Sequence, residues 1–273
     1  MFELFDSHIH LFENGYKNSG SNELAEYEKF RTEHSINTAL VIGYEGQSWA
    51  HGNNEYLRGV SQNSAWIKPL AFVHLEKFML SNLDDFLQQG FIGISLYIFS
   101  DSEVSLLQNV DARVWSWLSE NKWIVSVNSK GDYWQVWQEI LTNFPNLNLF
   151  ISHLGLPKIE VANPTNIEIS SEFKVIESLS SYKNVFLKIS GFYALEPNVP
   201  QYPYQSVKPY IRYIFEKFDL SRLVWGSDFS PALEVVPFDK TYAHLNEWDF
   251  ISSEARQDIL GNNLKKLIEH RAK

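Results

Sequence analysis

Four residues in this chain have the types and placements that metal or hydrolytic chemistry uses. An apolar run from Phe2 to Ser7 ends in His8-Ile9-His10. Alternate side chains of a strand share a face, so His8 and His10 point the same way. Two imidazoles so placed can converge on one metal ion, one water or one carbonyl. A second apolar run, Leu147 to Ser152, ends in His153 and then Leu154-Gly155, and a third, Arg222 to Ser227, ends in Asp228. Each residue alone could be a surface histidine, a turn former or a helix cap. Together, three strands deliver three histidines and an aspartate to one rim, where parallel α/β folds bind ligands.

The elements that must position these residues are legible as strands alternating with helices. Strands are expected near Phe2–His10, Thr38–Gly43, Ile67–Val73, Gly93–Tyr97, Trp123–Val127, Leu147–His153, Asn184–Ile189 and Arg222–Asp228. Pro69 weakens the third, because proline fits poorly in a central strand. Helices are expected over Leu24–His34, Glu55–Asn63, Leu80–Gln89, Asp111–Asn121, Tyr133–Phe144, Ser171–Tyr182 and Val207–Phe218, with Asp111 as an N-cap. The tail from Asp239 reads as at least two more. Polar or Pro- and Tyr-rich loops are expected over Tyr44–Asn54, Lys158–Asn166 and Glu196–Tyr204. Eight such units without a linker predict a single-domain (β/α)8 TIM barrel over 1–273, with a doubly wound open sheet as the alternative. The 273-residue length suits a barrel, which typically takes roughly 250 residues.

Composition narrows the chemistry. There is no cysteine, so disulfides, a cysteine nucleophile and Cys-ligated zinc are excluded. A net charge of -10 with no Lys/Arg run argues against nucleic acid or an acidic membrane as the main partner. No uninterrupted apolar stretch is long enough to span a membrane, and the N-terminus lacks a signal-peptide pattern. These features predict a cytoplasmic protein acting on a small molecule, with its oligomeric state left open.

The segments Asp6-Ser7-His8-Ile9-His10, Ile151-Ser152-His153-Leu154-Gly155, Lys188-Ile189-Ser190-Gly191, Trp225-Gly226-Ser227-Asp228 and Ile259-Leu260-Gly261-Asn262-Asn263 resemble the amidohydrolase superfamily. The resemblance is nearest to its amidohydrolase-related branch, which includes lactonases of dicarboxylate and sugar-acid catabolism. It runs from Phe2 to about Ile268 and implies a hydrolase barrel with its site at the C-terminal rim. Two positions depart from the family pattern. Asn128 stands about where metal-binding members carry a histidine after strand five, and Ser95 stands where many lactonase-like members carry an arginine on strand four. No Lys or Glu ends strand four to bridge two metals. The resemblance therefore implies at most a mononuclear site of His8, His10 and Asp228, best suited to zinc, with His153 nearby; a metal-free site is the alternative.

The expected activity is hydrolysis of a small cyclic ester, a lactone of a carboxylic or sugar acid. Asp228 would be the general base, a role that partial burial favours by raising a carboxylate's pKa. Val224, Gly226 and Asp228 share a strand face, and Gly226 would leave room for a small ligand. His153 would polarise the carbonyl or orient the water. His8 and His10 would hold the metal or hydrogen-bond the carbonyl directly. After ring opening the leaving group stays attached, and protonated Asp228 could return its proton in place. Asn128, Lys130, Tyr97 and Tyr193 are the expected substrate contacts, with Lys130 a candidate for an anionic group or else an ordinary solvated lysine. Lys188 would point inward as a paired interior lysine. His51, Asn53 and His74 are peripheral candidates. The alternatives are a metal-dependent amidase or decarboxylase of the same superfamily, and a ligand-binding barrel without turnover.

Overall fold

In the computed structural model of the chain, which describes residues 2–159, 164–195 and 202–271, eight strands pair in sequence order. They are β1 (Leu4–Ile9), β2 (Ile36–Ile42), β3 (Ile67–Phe72), β4 (Gly93–Ile98), β5 (Ile124–Ser129), β6 (Asn148–Ile151), β7 (Val185–Ile189) and β8 (Leu223–Trp225). Every pair is parallel. The ring closes through a parallel bridge between Ile9 and Phe229. The Asp228 N–H also donates to the His8 carbonyl at 2.8 Å, and the His10 N–H to that of Phe229. This is the (β/α)8 barrel, so the open-sheet alternative is set aside.

The helices are α1 (Glu23–Glu33), α2 (Asn53–Asn63), α3 (Leu80–Gln88), α4 (Asp101–Gln108), α5 (Ala112–Glu120), α6 (Val136–Asn143), α7 (Asn166–Leu179), α8 (Lys208–Lys217), α9 (Lys240–Glu247), α10 (Ser253–Gln257) and α11 (Asn263–Arg271). Asp111 caps α5 as expected, accepting the Arg113 N–H at 2.9 Å. Helix α4 was not anticipated, although its start carries a capping signal. Ser100 Oγ accepts the Glu103 N–H at 3.3 Å, and Glu103 Oε2 accepts the Phe99 N–H at 2.7 Å. Pro69 sits inside β3, in register with Val41. Its carbonyl accepts the Ile92 N–H at 3.0 Å, so a missing N–H does not break the strand there.

Two apolar layers hold the barrel. Buried residues such as Val41, Ile94, Val125, Leu187 and Trp225 belong to the large cluster shared with the helices. Phe5, Leu40, Ile42, Leu70, Ile124, Phe150 and Val224 form a second cluster drawn from six strands, which places it inside the barrel. Leu264 of α11 joins that inner cluster, and the neighbouring Asn263 side chain donates to the carbonyls of Leu220 and Leu223, both at 2.8 Å. That helix plugs the N-terminal end of the strands and leaves the C-terminal end free for a site. Residues 160–163 of the Lys158–Asn166 loop and 196–201 of the Glu196–Tyr204 loop lie outside the described residues. Among the described residues, no helix is long and apolar enough to cross a membrane.

Candidate active site

Plain alternation puts His8 and His10 on one face, with Ile9 between them packed in the large cluster, and an irregularity in β1 sets which face that is. Between Asp6 and Ile9 it advances three residues while β2 advances two, from Ala39 to Val41. One extra residue is a β-bulge, which re-aims side chains. Phe5 and His8 consequently both face the interior, whereas Asp6 turns outward. The Asp6 carboxylate fixes the bulge. Its Oδ1 accepts the N–H groups of His8 (3.1 Å) and Ser227 (2.9 Å), and its Oδ2 accepts the Tyr27 hydroxyl at 3.0 Å. Asp6 therefore ties β1 to the loop after β8. Burial, opposed by these donors, raises its pKa to about 6.

At the C-terminal rim the four candidate residues meet. His8 Nε2 and His10 Nε2 lie 3.3 Å apart. Asp228 Oδ1 lies 3.6 Å from His8 Nε2 and 3.9 Å from His10 Nε2, and Asp228 Oδ2 lies 3.8 Å from His153 Nε2. Two glycines make this approach geometric. A Cβ at Gly226 would sit 2.7 Å from His8 Cβ, and one at Gly191, where φ is +68°, would collide with the His153 ring. The space at Gly226 is thus filled by His8 itself, not by a ligand as the strand pattern suggested. Asp228 and His153 adopt φ of +58° and +50°, left-handed values that non-glycine residues rarely hold. Such strain collects at functional sites, where the surrounding fold enforces it.

Hydrogen bonds decide what each imidazole offers. His10 Nδ1 meets the Ile42 carbonyl at 2.8 Å, and a carbonyl only accepts, so Nδ1 carries the proton and Nε2 presents a lone pair. Neutral His10 consequently has no proton to give a substrate carbonyl, which removes it from the electrophile role considered above. His153 Nδ1 meets Ser190 Oγ at 3.0 Å. Beneath the cluster, fully buried Lys188 places Nζ 2.9 Å from His8 Nδ1 and 2.7 Å from Ser126 Oγ. As an ammonium it donates to His8 Nδ1 and leaves the His8 proton on Nε2; as an amine it has a lone pair that can accept from Nδ1 and so free Nε2. Burial lowers its pKa to about 7, against the pull of Asp228 and Asp6. Burial likewise keeps the histidines neutral: His10 falls to about 4, and His8 and His153 fall below the usual histidine range, Lys188 adding to the effect.

A cavity of about 970 Å³ opens above this cluster, with His10, His153 and Asp228 on its wall. His8, only 1% exposed, sits behind them. Tyr97, Asn128 and Tyr193 line the same cavity, as the sequence predicts. Asn128 Oδ1 is buried without a hydrogen-bond partner. The Tyr193 hydroxyl donates to Asp228 Oδ2 at 2.7 Å, so this tyrosine orients the carboxylate. Lys130 is not among the residues lining this cavity. It is exposed and lines a neighbouring cleft with Asp101, Tyr133 and Leu156, because the turn after β5 carries it past the rim. Ser95 donates to the Gly43 carbonyl at 2.5 Å and stays inside the barrel wall. Asn53 is structural: its side chain donates to the Leu11 carbonyl (2.7 Å) and accepts the Tyr44 N–H (3.0 Å). His51 and His74 line the cavity's outer wall.

The donor set fits one divalent ion. A tetrahedral ion bonded at about 2.0 Å holds its ligand atoms roughly 3.3 Å apart, against the 3.3, 3.6 and 3.9 Å separations among His8, His10 and Asp228. His8, His153 and Asp228 also present donor atoms within 4.8 Å of one another. The outer nitrogens of His10 and His153 are both engaged, as metal-ligating imidazoles require. Asn128 and Ser95 supply no second carboxylate or imidazole for a binuclear centre.

Comparison with known proteins agrees with the barrel fold. A curated L-fucono-1,5-lactonase from Burkholderia ambifaria is 26% identical over 126 residues, which span 44% of this chain and 41% of that protein. Among solved structures, an amidohydrolase from Burkholderia multivorans with bound zinc superposes with a TM-score of 0.81 at 14% identity, covering 98% of this chain and 99% of the other. A probable 2-pyrone-4,6-dicarboxylic acid hydrolase from Acinetobacter baumannii, solved with citric acid, gives 0.73 at 20% identity over 98% and 99% of the two chains. At these identities the superpositions establish the fold. The family model for amidohydrolases matches residues 5–268. The barrel, its rim of histidines and aspartate, and this nearly full-length match place the chain in the amidohydrolase family.

Proposed function

We propose that this protein hydrolyses a small lactone by water attack at the C-terminal rim, with Asp228 as general base. The observation that carries the proposal is the convergence of Asp228, His8, His10 and His153 at the floor of one open cavity. The lactonase relatives support the same reaction class. Asp228 is pinned through Oδ2 by Tyr193, which leaves Oδ1 to accept a proton from water. His153 reaches the cavity with Nε2, and when Ser190 Oγ donates to Nδ1, Nε2 carries a proton for the carbonyl oxygen. Ring opening leaves an alkoxide attached to the product, and the proton taken by Asp228 is returned to it in place.

His8, His10 and Asp228 would hold a single divalent ion, zinc by the borderline character of these donors, with His153 beside them. Bound there, the ion supplies Lewis acidity and a more acidic water. Lys188 sets which nitrogen of His8 bears the proton, and so whether His8 offers the cavity floor a donor or a lone pair. The test is a panel of lactones read by proton release with purified protein, as isolated and after chelation. Turnover of at least one lactone is expected. Complete inactivity on the panel with and without zinc would leave the ligand-binding reading in its place.

A further inference from the structure

The flank of the cavity, away from the reacting carbonyl, has a charge and texture of its own. Besides Asp228, its wall carries Glu45, Glu76 and Glu103. Two of these are fixed in place. Glu45 Oε1 accepts the Asn54 N–H at 2.8 Å, and Glu103 Oε2 accepts the Phe99 N–H at 2.7 Å. Among the described residues on the wall there is no arginine, and the one lysine, Lys17, is ion-paired with Glu234 at 2.8 Å. Lys188 lies under His8 and does not reach the wall. Much of the rest of the wall is aromatic, beside His51, Gln47 and His74, whose Nε2 lies 3.9 Å from Glu45 Oε2. Tyr97, Tyr44 and Phe72 contact one another at ring separations of 4.9 to 5.8 Å. Trp49 extends this surface, 6.0 Å from Tyr44 and 4.8 Å from Phe12.

We infer that this cavity selects an uncharged lactone with an apolar ring face and rejects lactones that carry carboxylates. The inference rests on the proposed lactonase reading and narrows it. A substrate carboxylate on the flank would meet fixed like charges with no guanidinium or free ammonium to pair it, an arrangement that discriminates strongly. Ring faces of tyrosine, tryptophan and phenylalanine favour the C–H face of a neutral cyclic polyol or alkyl lactone. The dianionic pyrone in the name of the Acinetobacter baumannii structure is therefore the wrong charge class for this chain.

The test uses a pair matched in ring and stereochemistry, D-galactono-1,4-lactone and D-galactaro-1,4-lactone, which differ by a carboxylate in place of a hydroxymethyl group. The neutral member is expected to show about a hundredfold higher kcat/KM, the scale of like-charge discrimination in a partly screened site. The ratio should narrow in high salt, which separates charge from shape. Glu45→Gln should also narrow it. Binding of the two matching cyclic ethers, neutral and carboxylated, reads the same selection without turnover, and the neutral ether is expected to bind tighter. Absence of lactone turnover with preserved selection between the ethers would defeat the lactonase reading and keep the charge inference. Equal behaviour of both members in both assays, absence of turnover and binding included, or preference for the carboxylate, overturns the inference.

Discussion

Lys188→Met gives a perturbation whose size follows from the structure. Lys188 is fully buried, and its pKa drops from 10.5 to about 7. The folded chain therefore binds fewer protons at this site than the unfolded chain between those two values. Stability rises with pH wherever the unfolded state holds more protons, with a limiting slope of about 1.4 kcal/mol per pH unit for one proton. The lysine's contribution is complete only above the unfolded value and is lost as pH falls towards 7. With these two pKa values, the wild-type protein should gain about 2 kcal/mol between pH 7 and pH 9 from Lys188 alone. Methionine keeps the unbranched stem one atom shorter, removes the titration and leaves His8 Nδ1 and Ser126 Oγ without their partner. The assay is urea unfolding of chelator-treated wild type and variant at both pH values and fixed ionic strength. Titrations remote from Lys188 cancel in the difference, so the stability gap should shift towards wild type by about 2 kcal/mol at the higher pH. A gap that does not change between pH 7 and 9 would refute a buried lysine of depressed pKa beneath the histidines.

Two other outcomes follow from the same site. Gly226→Ala forces a Cβ to 2.7 Å from His8 Cβ. It should cost about 1–3 kcal/mol in overpacking and lower kcat further than that loss explains, measured by thermal unfolding beside turnover. Zinc should bind at no more than one ion per chain, read by elemental analysis and titration calorimetry after chelation, and two tightly bound ions would overturn the mononuclear site.

Much of the barrel and its rim was legible because strand length, helical periodicity and cap chemistry are local signals. The His8/His10 pair was read through simple alternation. The structure keeps that alternation and adds a bulge held by Asp6, whose carboxylate partners on Ser227 and Tyr27 are invisible to local patterning. Lys188 was legible as an interior lysine from the β7 alternation, but its partner His8 is 180 residues away. Lys130 shows the opposite limit, since proximity in sequence to Asn128 does not place both side chains on one wall. Gly226 was read as space for a ligand because its true neighbour comes from another strand.

The most direct measurement is the turnover of Asp228→Asn on the best lactone substrate, beside wild type and with folding checked by circular dichroism. Asparagine keeps the shape and can still meet Tyr193, but it cannot take a proton from water. A folded variant with kcat lower by about 10²–10⁴ is the expected result. A folded variant that turns over the same lactone at near wild-type rate would contradict a general base at the rim.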